Sequence, residues 1–236
     1  MTGIPVQSDP HIIQSIHNTL LCNPTTRHLS PACLKILSMY GFRRHYLAGE
    51  GLWNRGEKAT AFTLISQGLV EGIRNLSENS TTIMAFFGPG DIIGLPAFTA
   101  KSVFPGTARA LTGKVEVIKF YLHPALEEKN KLQSAELQEL NGWLRLQLVK
   151  HDQHMLTKID LLQAATAEDR LKQALEQLRA RFAPTDNPHF IPLRLTRALL
   201  AGLTGLRTET IIRIVNQWQK DGLIKWNSRG ILFNPL

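Results

Sequence analysis

The stretch GLTGLRTETIIRIVNQW, residues 202–218, decides how the C-terminal part of this 236-residue chain folds. Thr196 can cap a first helix over RALLAGLTG, Gly205 supplies a turn, and a second helix is predicted from about Arg207 to Asp221. Two short helices joined at a glycine-bearing turn are the helix-turn-helix pattern. The following LIKWNSRGILFNPL offers two short β-segments around residues 227–230. The sequence therefore predicts a winged helix-turn-helix.

The second helix is predicted to turn one side inward and the other to solvent. Apolar residues recur three and four positions apart on the inner side: Ile211, Ile214, Val215 and Trp218. The outer side carries groups that can meet base edges: Thr208, Glu209, Ile212, Arg213 and Asn216. Arginine pairs with guanine, glutamate accepts from the amine of cytosine, and an apolar group contacts the thymine methyl. Glu209 and Arg213, one turn apart, also fit an ordinary surface ion pair, and both interpretations stay open.

Positive charge is concentrated around these two helices. From Phe190 to Leu236 the chain has seven Arg or Lys residues and two acids, a net +5 out of the +8 of the whole chain. A compact basic module predicts double-stranded DNA as a partner, because phosphate neutralisation supplies most non-specific affinity for nucleic acids. The residues predicted to contact phosphates are Thr196, Arg197, Arg207 and Lys220.

The composition limits the classes of protein to which the chain can belong. Hydrophobic residues at 43% and charged residues at 19% are typical of a globular protein, and without a run of 18 apolar residues no membrane partner is expected. The two cysteines, Cys22 and Cys33, cannot build a disulfide framework, and the first residues lack the features of a signal peptide. A cytoplasmic protein is predicted. The sequence contains neither a glycine-rich phosphate loop nor a nucleophile elbow, so an enzyme is not expected.

Four zones follow one another along the chain. Residues 1–40 are predicted as a helical segment, 41–125 as an all-β roll of short glycine-punctuated strands, 126–160 as a long helix, and 161–236 as the winged helix-turn-helix. The long helix carries an apolar face at helical spacing: Leu137, Leu140, Leu144 and Leu148. This face either packs on the roll or forms the seam of a homodimer, and the spacing does not separate the two.

The stretch from Leu195 to Ile224 resembles the DNA-reading element of the CRP/FNR family of bacterial transcription regulators. The family's E-[ST]-[VI]-x-R core is present as Glu209-Thr210-Ile211-Ile212-Arg213. EGLWNRGEKATAFTLISQGLVEGIR and FFGPGDIIG resemble the family's cyclic-nucleotide-binding β-roll, and residues 131–160 resemble its dimerisation helix. The resemblance implies an α+β fold, with a jelly-roll-like double-stranded β-roll, a dimerisation helix and a winged helix-turn-helix. It also implies a homodimer on palindromic DNA, with RNA polymerase as a further partner.

The predicted effector pocket departs from the family members that bind cyclic AMP. Those members carry Gly-Glu after the Gly-Asp turn, where this chain has Gly94-Leu95, and Arg-Ser or Arg-Thr further on, where it has Phe104-Pro105. Neither the ribose acceptor nor the phosphate-binding arginine is present. Arg109 lies nearby and is the candidate replacement for that arginine. Cyclic AMP is therefore not expected as the effector, and the effector stays unassigned.

Metal and redox sensing have few candidate residues. A four-cysteine iron–sulfur cluster is not expected, since Cys22 and Cys33 are the only cysteines. His151 and His154 on the long helix could chelate a metal, although such a pair is more often solvated. A second functional hypothesis is a metabolite- or redox-sensing regulatory protein that acts mainly through protein contacts. The resemblance further implies TTGA-like half-sites, because Thr208 replaces an arginine that reads an additional guanine in the cyclic-AMP-type relatives.

Overall fold

The computed structural model describes residues 6–77, 80–122 and 134–234. The chain divides into two compact units, one formed by Met1–Asn75 and Ala85–His154 and the other by Leu76–Met84 and Met155–Leu236. The predicted α+β fold, with a β-roll, a long helix and a winged helix-turn-helix, is confirmed. Residues 78–79 and 123–125 of the predicted roll and residues 126–133 of the predicted long helix lie outside the described residues.

Two four-stranded sheets form the roll, with strand orders β1-β8-β3-β6 and β2-β7-β4-β5. The strands are β1 (Gly41–Tyr46), β2 (Gly51–Trp53), β3 (Phe62–Gln67), β4 (Val70–Ser77), β5 (Ser80–Phe87), β6 (Ile92–Ile93), β7 (Thr107–Ala110) and β8 (Val115–Phe120). The core between the sheets includes Ile65, Val70, Phe87, Ala108 and Val117. At Gly68, between β3 and β4, φ is +80° and an added Cβ would lie 2.4 Å from the Lys114 carbonyl oxygen. Only glycine fits this turn.

Helices cover the outer face of the first sheet. They are α1 (Pro10–Cys22), α2 (Pro31–Met39), α3 (Leu95–Thr99) and the first turns of α4 (Ser134–Leu162). Ser30 caps α2 by accepting a hydrogen bond from the Cys33 amide, and Pro31 begins the helix. The rings of Phe62, Phe98 and Phe120 lie at the centre of this second hydrophobic cluster.

Part of the predicted dimer seam packs inside its own chain. Leu140 and Leu144 are buried in the same cluster as Phe62, and Leu148 packs at its margin. Trp143 lies on this side of the helix as well, 6.0 Å from the Phe62 ring, and its indole N–H donates to the Thr25 carbonyl. Of the two alternatives for this face, packing on the roll is thus observed for Leu140 and Leu144, whereas Leu137 and Leu148 stay half-buried and the seam stays a prediction.

The second unit contains the winged helix-turn-helix. Its elements are α5 (Ala167–Phe182), β9 (Phe190–Ile191), α6 (Arg197–Thr204), α7 (Thr208–Lys220), β10 (Ile224–Asn227) and β11 (Gly230–Phe233). Thr196 caps α6 as predicted, and Gly205 ends it in the left-handed conformation that the turn needs. The three short strands pair antiparallel in the order β10-β11-β9. None of the helices in the described part of the chain is both long and apolar enough to span a membrane.

Candidate nucleic-acid interface

Helix α7 is sharply divided between a buried and an exposed side. Ile211, Ile214, Val215 and Trp218 are buried, as the periodicity predicts. Glu209, Ile212, Arg213 and Asn216 are exposed, and Thr208 at the first position is half-buried. Ile212 keeps 42% of its surface in solvent, which is unusual for a β-branched apolar side chain on a small module. The exposed side therefore presents an acid, a base, an amide and an apolar group together.

Glu209 and Arg213 do not neutralise each other. Among the ion pairs and hydrogen bonds of residues 6–77, 80–122 and 134–234, none joins these two side chains. Both side chains project into solvent from the same side of α7. Their donor and acceptor groups can therefore reach an external partner without first breaking an internal contact.

The N-terminus of α7 can receive an anion. Arg207 occupies the N-cap position and makes no capping hydrogen bond with its side chain, so the amides of the first turn are not satisfied by a capping side chain. Arg207 itself is exposed and cationic. Helix N-termini bind phosphates through such amides and through the helix dipole. Lys220, predicted to contact phosphate, is exposed in the last turn of the same helix.

Trp218 anchors α7 to the start of α5. Its indole N–H donates to Glu168 Oε1 at 2.6 Å, and its ring is buried. Glu168 lies in the first turn of α5, whose N-cap Thr166 accepts from the Asp169 amide. This contact fixes the buried side of α7, and with it the direction of the exposed side. The sequence pattern did not reveal Glu168, because its partner lies 50 positions away.

Two of the residues predicted to contact phosphates have structural partners. The guanidinium carbon of Arg197 lies 3.9 Å from the centroid of the Trp226 ring on β10, so Arg197 braces the wing against α6. Thr196 Oγ1 accepts from the Leu199 amide at 3.1 Å and serves as the cap of α6. Burial lowers the pKa of Arg197 from its ordinary value. Arginine nevertheless stays charged at neutral pH, so Arg197 remains a cation beside the wing.

The wing is a two-residue hairpin with Asn227 opposite Gly230. Asn227 Oδ1 accepts from the Arg229 amide at 2.8 Å, which closes the turn with a side chain in place of a backbone group. Gly230 has no room for a side chain, because an added Cβ would lie 2.1 Å from the Ile191 carbonyl oxygen. The tip residues Ser228 and Arg229 are exposed.

In the roll, two of the predicted effector-pocket residues, Gly94 and Phe104, lie at a stacked pair of aromatic rings. Trp53 and Phe104 stack with centroids 4.2 Å apart and planes 16° from parallel. Gly94, in the left-handed conformation, touches the stack: an added Cβ would lie 2.9 Å from Phe104 and 3.3 Å from Trp53. Gly94 and Phe104 are thus brought together as predicted. Leu95 is not, since its side chain belongs to the helix-side cluster around Phe62.

Arg109 has an internal partner, the carboxylate of Glu71. Its Nε and Nη2 donate to Glu71 Oε1 at 2.7 and 2.6 Å, directly across the β4–β7 ladder. Glu71 is buried, so this carboxylate depends on the guanidinium for its charge balance. An effector phosphate on Arg109 would have to share the guanidinium with Glu71, and the role of Arg109 stays a prediction. Neither Glu71 nor Trp53 was singled out from the sequence.

Cysteine and histidine residues offer little for redox or metal chemistry. Cys33 is buried, its thiol donates to Glu139 Oε2 at 3.1 Å, and burial raises its pKa to about 11, so the reactive thiolate is disfavoured. Within the described ranges, no three His, Cys, Asp or Glu side chains meet in a way that could hold a metal ion. Burial lowers the pKa of His151, and the side chain of His154 lies outside the described residues.

A cyclic-nucleotide-binding type of roll, a long helix and a basic winged helix-turn-helix define the class of DNA-binding transcription regulators. Residues 43–123 match the cyclic nucleotide-binding domain family, and residues 169–234 match the Crp-like helix-turn-helix domain family. The chain belongs to the CRP/FNR family, whose members are transcription regulators and not enzymes. Its helix-turn-helix is a DNA-binding module.

Relatives and solved structures agree with this assignment. The fumarate and nitrate reduction regulatory protein of Vibrio cholerae is 28% identical over 185 residues, which cover 78% of this chain and 71% of that protein. The anaerobic regulatory protein of Haemophilus influenzae is 29% identical over 188 residues, covering 78% and 70%. The c-di-GMP responsive global regulator CLP of Xanthomonas campestris shares the fold, with a TM-score of 0.72 at 20% identity over 88% of this chain and 100% of that chain. FixK2 of Bradyrhizobium japonicum also shares the fold. Its TM-score is 0.67 at 22% identity, over 83% of this chain and 93% of that chain.

Proposed function

We propose that this regulator acts as a homodimer on palindromic DNA sites with TTGA-like half-sites and does not take cyclic AMP as its effector. The observation that carries the proposal is the exposed side of α7, where Glu209 and Arg213 point outward without pairing with each other. Residues 161–236 would form the DNA-binding domain, residues 41–125 the effector domain and residues 126–160 the dimerisation helix. RNA polymerase is the proposed partner of the DNA-bound dimer.

Each exposed side chain of α7 has a base that suits it. Arg213 would donate two hydrogen bonds to a guanine, and Glu209 would accept from a cytosine amine on the opposite strand. The exposed methyls of Ile212 would contact a thymine. Thr208 is half-buried and too short for a bidentate contact with a further guanine, which favours TTGA over a longer guanine-containing half-site.

The phosphate contacts would come from two places on the module. Arg207, with the amides at the N-terminus of α7, and Lys220, at the other end of the helix, flank the base-reading side. Arg197 would contribute from the first helix while it braces Trp226, and the hydroxyl of Thr196 would do so from the cap. Of these, Arg207 and Lys220 are expected to contribute most to the salt dependence of binding, because both are fully exposed.

The proposed dimer would use a different side of α4 from the one that the sequence suggested. Leu146, Val149, Leu156 and Ile159, named here the outer stripe, are large apolar residues that remain exposed. Leu146, Val149 and Leu156 are three and seven positions apart and lie on the side of the helix opposite Leu140 and Leu144. A long apolar stripe of this spacing suits a parallel copy of the same helix. Dimerisation would place two copies of α7 on the two halves of a palindrome.

Selection of duplexes from a random pool tests the DNA proposal. The wild-type protein is expected to enrich a palindrome of TTGA-like half-sites about one helical turn apart, and enrichment should weaken at higher salt. Recovery of sequences without two-fold symmetry would contradict the dimer on DNA. Absence of enrichment even at low salt would overturn base reading and favour a regulatory protein that works through protein contacts.

Calorimetric titration tests the effector proposal. Cyclic AMP and cyclic GMP are expected to give no saturable micromolar isotherm, because Leu95 and Phe104 offer neither a carboxylate nor a guanidinium and Arg109 is paired with Glu71. A buried cyclic phosphate without a charged partner is disfavoured by several kcal/mol, roughly, in an apolar site. A saturable isotherm with either nucleotide would show that the proposal is wrong.

A further inference from the structure

Lys158 of α4 is a buried cation that bridges two other elements of its unit. Only 6% of its surface is exposed. Its Nζ donates to the Ile83 carbonyl oxygen on β5 at 2.9 Å and to the Leu203 carbonyl oxygen on α6. Burial lowers its pKa to about 8, and no neighbouring charge contributes to that shift. Among the described residues, the acceptors of the ammonium are therefore two backbone carbonyls.

The Leu203 carbonyl is a suitable acceptor because it lies in the last turn of α6. The last four carbonyls of a helix have no partner within the helix, and the C-terminal end of the helix dipole favours a cation. The Gly205 amide satisfies the Ala201 carbonyl, and Lys158 satisfies that of Leu203. Lys158, which lies on another helix, thus caps the C-terminal end of α6, the first helix of the helix-turn-helix.

Packing joins the same two elements a second time, at Gly202. An added Cβ on Gly202 would lie 3.1 Å from both Cδ1 and Cγ1 of Ile83. The absence of a side chain at Gly202 therefore lets Ile83 of β5 pack closely against α6. Ile83 is buried in this contact. The polar bridge and the glycine contact therefore hold one strand residue, Ile83, against one turn of α6.

We infer that Lys158 is a positioning residue for DNA recognition, because it ties β5 to the first helix of the helix-turn-helix. Ile83, Lys158 and Leu203 all belong to the second compact unit. Within that unit, Lys158 and the contact at Gly202 fix Ile83 of β5 against α6, the helix that precedes the DNA-reading helix. The DNA part of this inference rests on the proposed function, whereas the tie itself does not.

Two substitutions, each with a control, distinguish a positioning role of the contact between β5 and α6 from a general contribution to stability. Lys158→Met keeps the length of the side chain and removes the donor, and Lys158→Arg keeps a cationic donor as the matched control. Gly202→Ala leaves Lys158 in place and pushes Ile83 away, and the double variant Gly202→Ala with Ile83→Ala should relieve the push, because it removes both Cγ1 and Cδ1. If Lys158→Met fails to fold, the Gly202 pair still tests the same contact.

Amide hydrogen exchange and DNA binding are the two readouts. Lys158→Met and Gly202→Ala are expected to speed exchange in β5 and α6 and to weaken binding to the selected palindrome by on the order of tenfold, with non-specific binding unchanged. Ile83→Ala should restore part of the loss in the Gly202→Ala background, and Lys158→Arg should stay near the wild type. A merely structural lysine would lower stability and leave the ratio of specific to non-specific affinity unchanged.

The outcomes distinguish this inference from the proposed function. Wild-type exchange and wild-type specificity in both Lys158→Met and Gly202→Ala would overturn the inference. If the wild-type protein itself selects no duplex, the proposed function fails, and faster exchange in β5 and α6 of the variants would still establish the tie.

Discussion

At the scale of single residues, Glu209 is an acid placed in the most basic part of the chain and left without an ionic partner among the described residues. An acid at that place weakens the attraction of the surface for phosphates in general. Its presence is understandable if it distinguishes between bases. A carboxylate accepts a hydrogen bond from the amine of cytosine and disfavours bases that present acceptor groups at that place. Specificity and total affinity are therefore expected to respond in different directions when Glu209 is changed.

Substitution of the two α7 residues tests this division. Arg213→Ala should weaken the preferred site by about 1–3 kcal/mol and remove the preference at its guanine. Glu209→Ala should relax the preference at the paired position while raising non-specific affinity, because it removes a negative charge. Binding to a panel of single-base variants at two salt concentrations measures both. Lys220→Ala is the control and should weaken all duplexes alike, and an unchanged motif in both α7 variants would contradict base reading.

Lys158 should also give the unfolding free energy a pH dependence. Its pKa in the folded chain, about 8, is below the ordinary 10.5, so between these values the unfolded chain holds a proton that the folded chain has lost. Stability from this group therefore rises as the pH goes from about 8 to 10.5. β5 has no ionisable residue, and α6 has only Arg197, which stacks on Trp226 at its far end. His154, one turn earlier on α4, has a side chain outside the described residues.

Urea unfolding of the wild type and of Lys158→Met across that pH range measures this effect. The difference in unfolding free energy between them should grow with pH by on the order of 2 kcal/mol, since one pKa unit corresponds to about 1.4 kcal/mol. A difference that stays constant over the range would show that Lys158 titrates normally.

The residues of α7 were predictable and those around them were not, for a physical reason. Helical periodicity alone separates Ile211 and Trp218 from Glu209 and Arg213, because both sets lie on one element. The stacking of Arg197 on Trp226 and the pairing of Arg109 with Glu71 join residues 29 and 38 positions apart, which only the packed fold brings together. The sequence thus shows which side chains are charged, but it cannot show which of them have partners within the fold.

At the scale of elements, the direction of α7 depends on how firmly its buried side is held. The contact between Trp218 and Glu168 is a charge-assisted hydrogen bond from a buried indole to the first turn of another helix. Hydrophobic burial holds the helix against the module but allows small rotations, whereas a directional bond limits them. Glu168 is therefore expected to matter for recognition although it is distant in sequence from the DNA-reading residues.

Glu168→Ala should lower the stability of the second unit by about 1 kcal/mol and weaken specific binding more than non-specific binding. Glu168→Gln keeps an acceptor and should recover most of both losses. Thermal unfolding and titration with the selected duplex provide the measurements. Equal effects of the two substitutions would mean that the carboxylate has another role than accepting from Trp218.

The long helix shows why an apolar face can be predicted from the sequence without its partner. The apolar spacing of Leu140, Leu144 and Leu148 predicts a helix face that must be covered, and the face is indeed covered. Periodicity does not state what covers it, and the roll of the same chain does so. The outer stripe is interrupted by polar residues such as Gln153 and is therefore a weaker pattern in the sequence.

At the scale of the whole molecule, assembly should depend on the outer stripe. Val149→Glu together with Leu156→Glu should give folded monomers that bind a single half-site weakly, because charges would face each other in the seam. Leu47→Glu, a change at an equally exposed leucine in the roll, is the control and should remain dimeric. Sedimentation at micromolar concentration distinguishes the two states. A wild-type monomer, or a dimeric double variant, would contradict the stripe as the seam.

The packing of Leu140, Trp143 and Leu144 into the roll means that residues of a single chain form this core. In the proposed dimer, dilution would then release folded subunits that are ready to exchange between dimers. While monomers are in excess, the amount of the two-headed species rises with the square of the chain concentration. A modest increase in synthesis would therefore fill disproportionately more operators, so that gene dosage itself becomes an input to this regulator.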